Sequence, residues 1–126
     1  MGILDGFKQI NVVTGKPTIT ITKNGLTFSK NAVYKLELCE FVNLYLNEQK
    51  KVLAVQYCAE KTNMSIQFAR DDKDFVRWNN QDFLQMIDKL MGWDHTRNKY
   101  KIVGEYYSDE KLLYFDLNLA EIDFNA

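Results

Sequence analysis

Two separated stretches of the chain follow the same order of local signals, and that repetition constrains the fold more than any other feature. In the first, TITIT from Thr18 alternates β-branched residues, which suits a pleated strand with Ile19 and Ile21 on one face. Asn24-Gly25 supplies a turn, because both residues tolerate positive φ, and Leu26-Thr27-Phe28 resumes extended backbone. Ser29 is placed to cap a short helix in which Val33 and Leu36 share a face. From Phe41, the runs FVNLYL and VLAVQYC flank the polar NEQKK as a hairpin.

The order then returns. Met64 to Phe68 (MSIQF) reads as a strand, Asp71 to Asp74 as a loop, and Phe75-Val76-Arg77-Trp78 as extended. Asn79 or Asn80 caps a helix whose Phe83, Met86, Ile87 and Leu90 follow three-and-four spacing, and Gly92 ends it. YKIVGEYY and KLLYFDLNL flank SDE as a second hairpin. At an offset of fifty, Leu26, Phe28, Ser29, Val33 and Tyr34 meet Val76, Trp78, Asn79, Phe83 and Leu84. At sixty-one, Tyr45, Leu46, Glu48 and Lys50 meet Tyr106, Tyr107, Asp109 and Lys111.

One short helix and one hairpin cannot enclose a core, whereas two copies facing each other can. The expected fold is therefore α+β: one compact domain over residues 1–126, made of two tandem strand-helix-hairpin units (18–58 and 64–116) packed as a pseudo-two-fold barrel or sandwich. The competing expectation is an ordinary α+β chain in which two helix-hairpin units coincide. Residues 1–17 form an irregular lead-in, with a short strand expected at Val12 and Val13.

Residues 18 to 56, with Phe28, Ser29 and Lys30 before a helix whose apolar positions are Val33 and Leu36, resemble the swapped-hairpin unit of AbrB-like and MazE-like regulators and antitoxins. That unit runs as a strand, a short helix of the P-K-x-x-R-E-x-L type, then a hairpin. A second copy at 64–116 makes the arrangement similar to the MraZ branch, which carries two copies in one chain. The resemblance implies a barrel formed by exchanged hairpins and a role in nucleic-acid binding. The family's helix Arg is absent here; Lys30 and Lys35 are the basic residues of the corresponding stretch, and the D-x-x-x-R motif of the MraZ type is missing.

Charge bears on that role. With 16 basic and 17 acidic residues the chain has no global basic excess, so any basic surface must be local. The candidate nucleic-acid contacts are Lys23, Lys30, Lys35, Arg77, Arg97, Lys99 and Lys101, with Trp78, Trp93 and Tyr100 as aromatics able to stack on bases. A second class of function, protein-protein interaction or self-assembly into a homo-oligomer, rests on the aromatic hairpin from Tyr100 to Phe115, whose tyrosines fall on both faces.

Other chemistry finds little support. Asp94-His95 beside Trp93 has no Ser or Cys close in sequence, and His95 is expected to be solvent-exposed in a loop. Asp71, Asp72 and Asp74 lack calcium-loop spacing and are expected to be a solvated loop. Cys39 and Cys58 are expected as small core residues with reduced thiols, since neither a CxxC nor a second His accompanies them. No stretch approaches the roughly 18 apolar residues of a membrane span, and the N-terminus lacks a secretory signal pattern. The sequence is accordingly read as a cytoplasmic, non-catalytic module with no cofactor, no metal and no membrane partner.

Overall fold

A computed structural model describes residues 2–7, 15–71 and 73–124 of the chain. The strand expected at Val12 and Val13, and Asp72 of the acidic cluster, lie outside those residues. Among the described residues the fold is mixed α+β, with two five-stranded antiparallel sheets and two α-helices.

Strand β1 (Thr18–Thr22) and β2 (Gly25–Phe28) flank the Lys23-Asn24 turn. Gly25 has a φ of 125°, and a Cβ there would meet the Trp78 carbonyl oxygen at 2.5 Å, so both backbone shape and close approach require glycine. Helix α1 (Lys30–Lys35) begins at Ser29, whose hydroxyl accepts from the Ala32 amide at 3.2 Å and from the Thr18 amide at 3.0 Å. The first hairpin is β3 (Phe41–Asn47) with β4 (Val52–Cys58).

In the second half, β5 (Ile66–Gln67) is shorter than the expected MSIQF strand, and β6 (Val76–Trp78) leaves Phe75 in the loop, where it is exposed. Helix α2 (Gln81–Met91) takes Asn80 as its N-cap and Gly92 as a left-handed C-cap. Leu84 and Ile87 are the residues it buries, and Met86 is exposed, because the apolar stripe is turned by one position from the expected Phe83-Met86 edge. The second hairpin splits into β7 (Lys99–Val103), β8 (Glu105–Tyr107) and β9 (Leu112–Asp116), then a 3-10 turn at Leu117–Leu119 where the sequence reads as extended. Strand β10 (Glu121–Asp123) has no counterpart among the expected elements.

The first sheet has the order β10-β7-β1-β2-β6, and the second β5-β3-β4-β9-β8. Gly104 is the corner between β7 of the first sheet and β8 of the second. Its amide donates to the Pro17 carbonyl at 2.7 Å. In the first sheet Ile19, Ile21, Leu26, Phe28, Val76, Tyr100 and Ile102 are buried, as are Val42, Leu53, Val55, Leu113 and Phe115 of the second. Together with Ala32, Val33, Leu84 and Ile87 of the helices they form one core cluster. Phe28 and Phe115 bring the sheets together edge to face at 6.5 Å.

Candidate functional site

Alternation along the first sheet sends every second residue outward. Facing inward are Ile19, Ile21, Leu26 and Val76; facing outward are Thr18, Thr20, Thr22, Thr27 and Arg77, with Lys99 and Lys101 from β7. Register then puts Glu121, Lys101, Thr20, Thr27 and Arg77 in one row across five strands. The Arg77 guanidinium donates through Nε to Thr27 Oγ1 at 3.1 Å and lies 5.0 Å over the Phe75 ring.

Cavities on this face and round its β6 edge share lining residues. One of about 390 Å3 lies between the β1-β2 turn and the loop before β7, lined by Lys23, His95, Arg97 and Lys99 with Asp123 at its edge. A second, about 360 Å3, shares Thr22, Asn24 and Lys99 with the first and extends over Thr20 and Thr27 to Arg77. A third, about 370 Å3, has Arg77 in common with the second but lies round the β6 edge, on the inward side, where Trp78, Phe83, Leu44 and Ile66 line it together with Arg70. Four of the cations named from sequence, Lys23, Arg97, Lys99 and Arg77, are thus brought onto one track. Arg70 was missed; its loop carried no periodic signal, and only pairing of β6 with β2 brings the neighbouring Arg77 into line with it.

Lys30 and Lys35 do not join this track's cavities. Lys30 is exposed at the start of α1, while Lys35 is half-buried with its ammonium 5.5 Å from the Tyr106 ring centroid. Lys101 faces Glu121, and Lys99 faces Asp123, so β10 lays carboxylates beside two of the lysines. Arg97 has Asp94 3.7 Å away. A hydrogen bond from Thr96 Oγ1 is the main influence holding the Asp94 carboxyl below its ordinary range, with Arg97 adding to it, which keeps that carboxylate charged.

The expectation for His95 is corrected: only 3% of it is accessible. Its Nδ1 lies 2.5 Å from Asp88 Oδ2 and its Nε2 3.3 Å from Gln81 Oε1, so the ring is clamped along α2 rather than free in a loop. Trp93 stacking on Tyr100 at 4.1 Å and the Asp94 amide donating to the Tyr100 hydroxyl fold the loop back and close over it. Cys58 is corrected too. Cys39 is buried as expected, but Cys58 ends β4 half-exposed, its thiol donating to the Glu60 carbonyl.

Asp74 is not merely solvated: it accepts from the Tyr34 hydroxyl at 3.2 Å, which raises the phenol's pKa. Among the described residues no group of three or more His, Cys, Asp or Glu is arranged to hold a metal ion, and no helix is long and apolar enough to cross a membrane. Comparison with models of known protein families, with curated proteins and with solved structures finds no match for this chain.

Proposed function

We propose that this chain is a cytoplasmic, non-catalytic regulatory module that binds nucleic acid through the outer face of its first sheet, in the manner its resemblance to AbrB-like proteins implies. The observation that carries the reading is the track itself: Lys23, Arg97, Lys99, Arg77 and Arg70 line neighbouring cavities that share lining residues. In a chain without net positive charge, such local gathering is what sequence-independent affinity for phosphates needs.

The architecture proposed with it is two tandem units about a pseudo-two-fold axis. Strand pairing supports this. β1 pairs with β7 as β5 pairs with β3, and β3 pairs with β4 as β8 pairs with β9, while β2 with β6 and β4 with β9 join the units; the β1-β2 pairing has no counterpart, since β5 and β6 lie in different sheets. Asn47↔Val52, Leu46↔Leu53 and Tyr45↔Ala54 become Tyr107↔Leu112, Tyr106↔Leu113 and Glu105↔Tyr114 at an offset of sixty. Both hairpin turns end on a lysine in the left-handed region, Lys51 (φ 58°) and Lys111 (φ 50°), again sixty apart. The offset is one less than residue types suggest. At sixty-one, exposed Tyr45 would match core-packed Tyr106, whereas at sixty it matches exposed Glu105.

Fluorescence anisotropy with labelled oligonucleotides at low and moderate salt tests the function. Binding that weakens steeply as salt rises is expected. Absence of binding to any nucleic acid at low salt would sink the reading.

One observation favours a second reading, assembly through the aromatic hairpin. β8 is an edge of the second sheet, and its Tyr107 is 46% exposed against Tyr114. A monomer by sedimentation at high concentration would remove it.

A further inference from the structure

Resting on the nucleic-acid reading, we infer that the substrate class is single-stranded rather than duplex, and that the cavity between Trp78, Phe83 and Arg70 seats an unpaired base. A duplex offers phosphates and groove edges, and its base faces are covered by stacking. The polar stretch of the track, from Lys23 and Lys99 across Thr20 and Thr27 to Arg77, would serve either form. The third cavity differs. Its floor is Leu44, Ile66, Trp78 and Phe83, its rim is Arg70, Arg77, Asn79 and Asn80, and no carboxylate lines it.

The aromatic and amide groups there have chemistry that a single strand uses and a duplex leaves idle, and the arginines serve the phosphates. Trp78 is rigidly set: its indole Nε1 donates to the Gln67 carbonyl at 3.1 Å, and its ring meets Phe28 at 4.8 Å and Phe83 at 6.1 Å edge to face. An aromatic platform held in place stacks on any base with little ordering loss. Asn80 spends its side-chain oxygen capping α2 through the Phe83 amide at 3.0 Å, which leaves its NH2 group to reach a base edge. Arg70 and Arg77 stand where the flanking phosphates would pass, and their planar forks fit phosphate oxygens in pairs. At about 370 Å3 the cavity lies within the range of sites that hold small planar ligands.

Shared lining residues set the path of the strand. Arg77 belongs to both the second and third cavities, and Lys99 to both the first and second, so a backbone laid along the threonines from Arg97 to Arg77 would then round the β6 edge to reach Arg70 and Trp78. At the Trp78 end four large apolar side chains line the cavity together.

The test is anisotropy with a fluorescein-labelled mixed-sequence single-stranded DNA of about 12 nucleotides and with the duplex of the same sequence, using the full chain and its Arg70→Ala and Arg77→Ala variants. A melt of each variant checks that it remains folded. The single strand is expected to bind at least about tenfold tighter, each arginine variant to lower the salt slope by about 0.7, and Trp78 fluorescence, read in a Trp93→Phe background, to quench on saturation. Equal or tighter duplex binding overturns this inference and leaves the broader function standing. Single-strand binding that ignores both arginines, or that leaves Trp78 fluorescence unchanged, overturns the assignment of the cavity. No binding of either probe at low salt overturns the broader function as well.

Discussion

Gly104→Ala should destabilise the chain through contact alone, which makes it a clean test of how β7 passes from one sheet to the other. The glycine is buried and its φ lies outside the left-handed region, so alanine meets no conformational strain there. An added Cβ would stand 2.5 Å from Phe115 Cδ1 and 2.5 Å from the Tyr114 carbonyl oxygen. The ring can yield, but the carbonyl belongs to β9, whose ladder with β4 runs from Val52↔Asp116 to Gln56↔Leu112. Overpacking of this kind typically costs about 1–3 kcal/mol. For a domain of this size that corresponds to a fall in Tm of roughly 3–15 °C. Gly92→Ala is the control: its Cβ would meet nothing within 4 Å, and its φ of 69° charges the substitution about 1 kcal/mol of backbone strain instead. Thermal and urea unfolding would measure both losses. Adding Phe115→Leu to Gly104→Ala should not restore the loss, because the carbonyl contact remains. A Gly104→Ala protein melting within about 1 °C of the parent would refute the close-packed corner.

The remaining predictions concern the thiols, a cap and a lysine. A disulfide reagent at pH 8 should modify Cys58 quickly and Cys39 only on unfolding, since burial pushes the Cys39 thiol up to about 11 while Cys58 is half-exposed; two equally fast thiols would contradict the packing. Because folded Cys39 keeps its proton to higher pH than the unfolded thiol, its contribution to stability is intact at pH 7 and falls as pH rises from about 9 to about 11; a Cys39→Ala protein should lose that portion of the alkaline decline in urea titrations. Ser29→Ala should cost about 1–2 kcal/mol by denaturant titration, as the hydroxyl serves the Ala32 and Thr18 amides together, and Ser29→Thr should recover most of it. Lys35→Ala should leave oligonucleotide affinity unchanged in anisotropy, because its ammonium is engaged on the Tyr106 ring away from the track.

Local rules wrote much of this fold. The alternation in TITIT places Ile19 and Ile21 inside and the threonines outside, Ser29 caps α1, and Gly92 ends α2 with a left-handed residue; each depends on neighbours within a few positions. The same holds for the two hairpins, whose polar turns fall where the residue types put them. What lay beyond local reading was set by pairs far apart in the chain. The register of β8 on β9, Tyr107↔Leu112 to Glu105↔Tyr114, is set by which residues the strands bury, since a slip of one residue turns a strand's inward face to solvent, and residue types alone do not register that penalty. His95 looks like a loop residue until Trp93 and Tyr100 stack and the loop closes on Asp88. Arg97 and Lys99 stand close in sequence, but Arg77 and Arg70 join them only because β1 pairs with β7 on one side while β2, its partner on the other, pairs with β6. Surface charges leave no periodic mark, because water accepts them in any arrangement; long-range strand pairing is what turns scattered cations into a track.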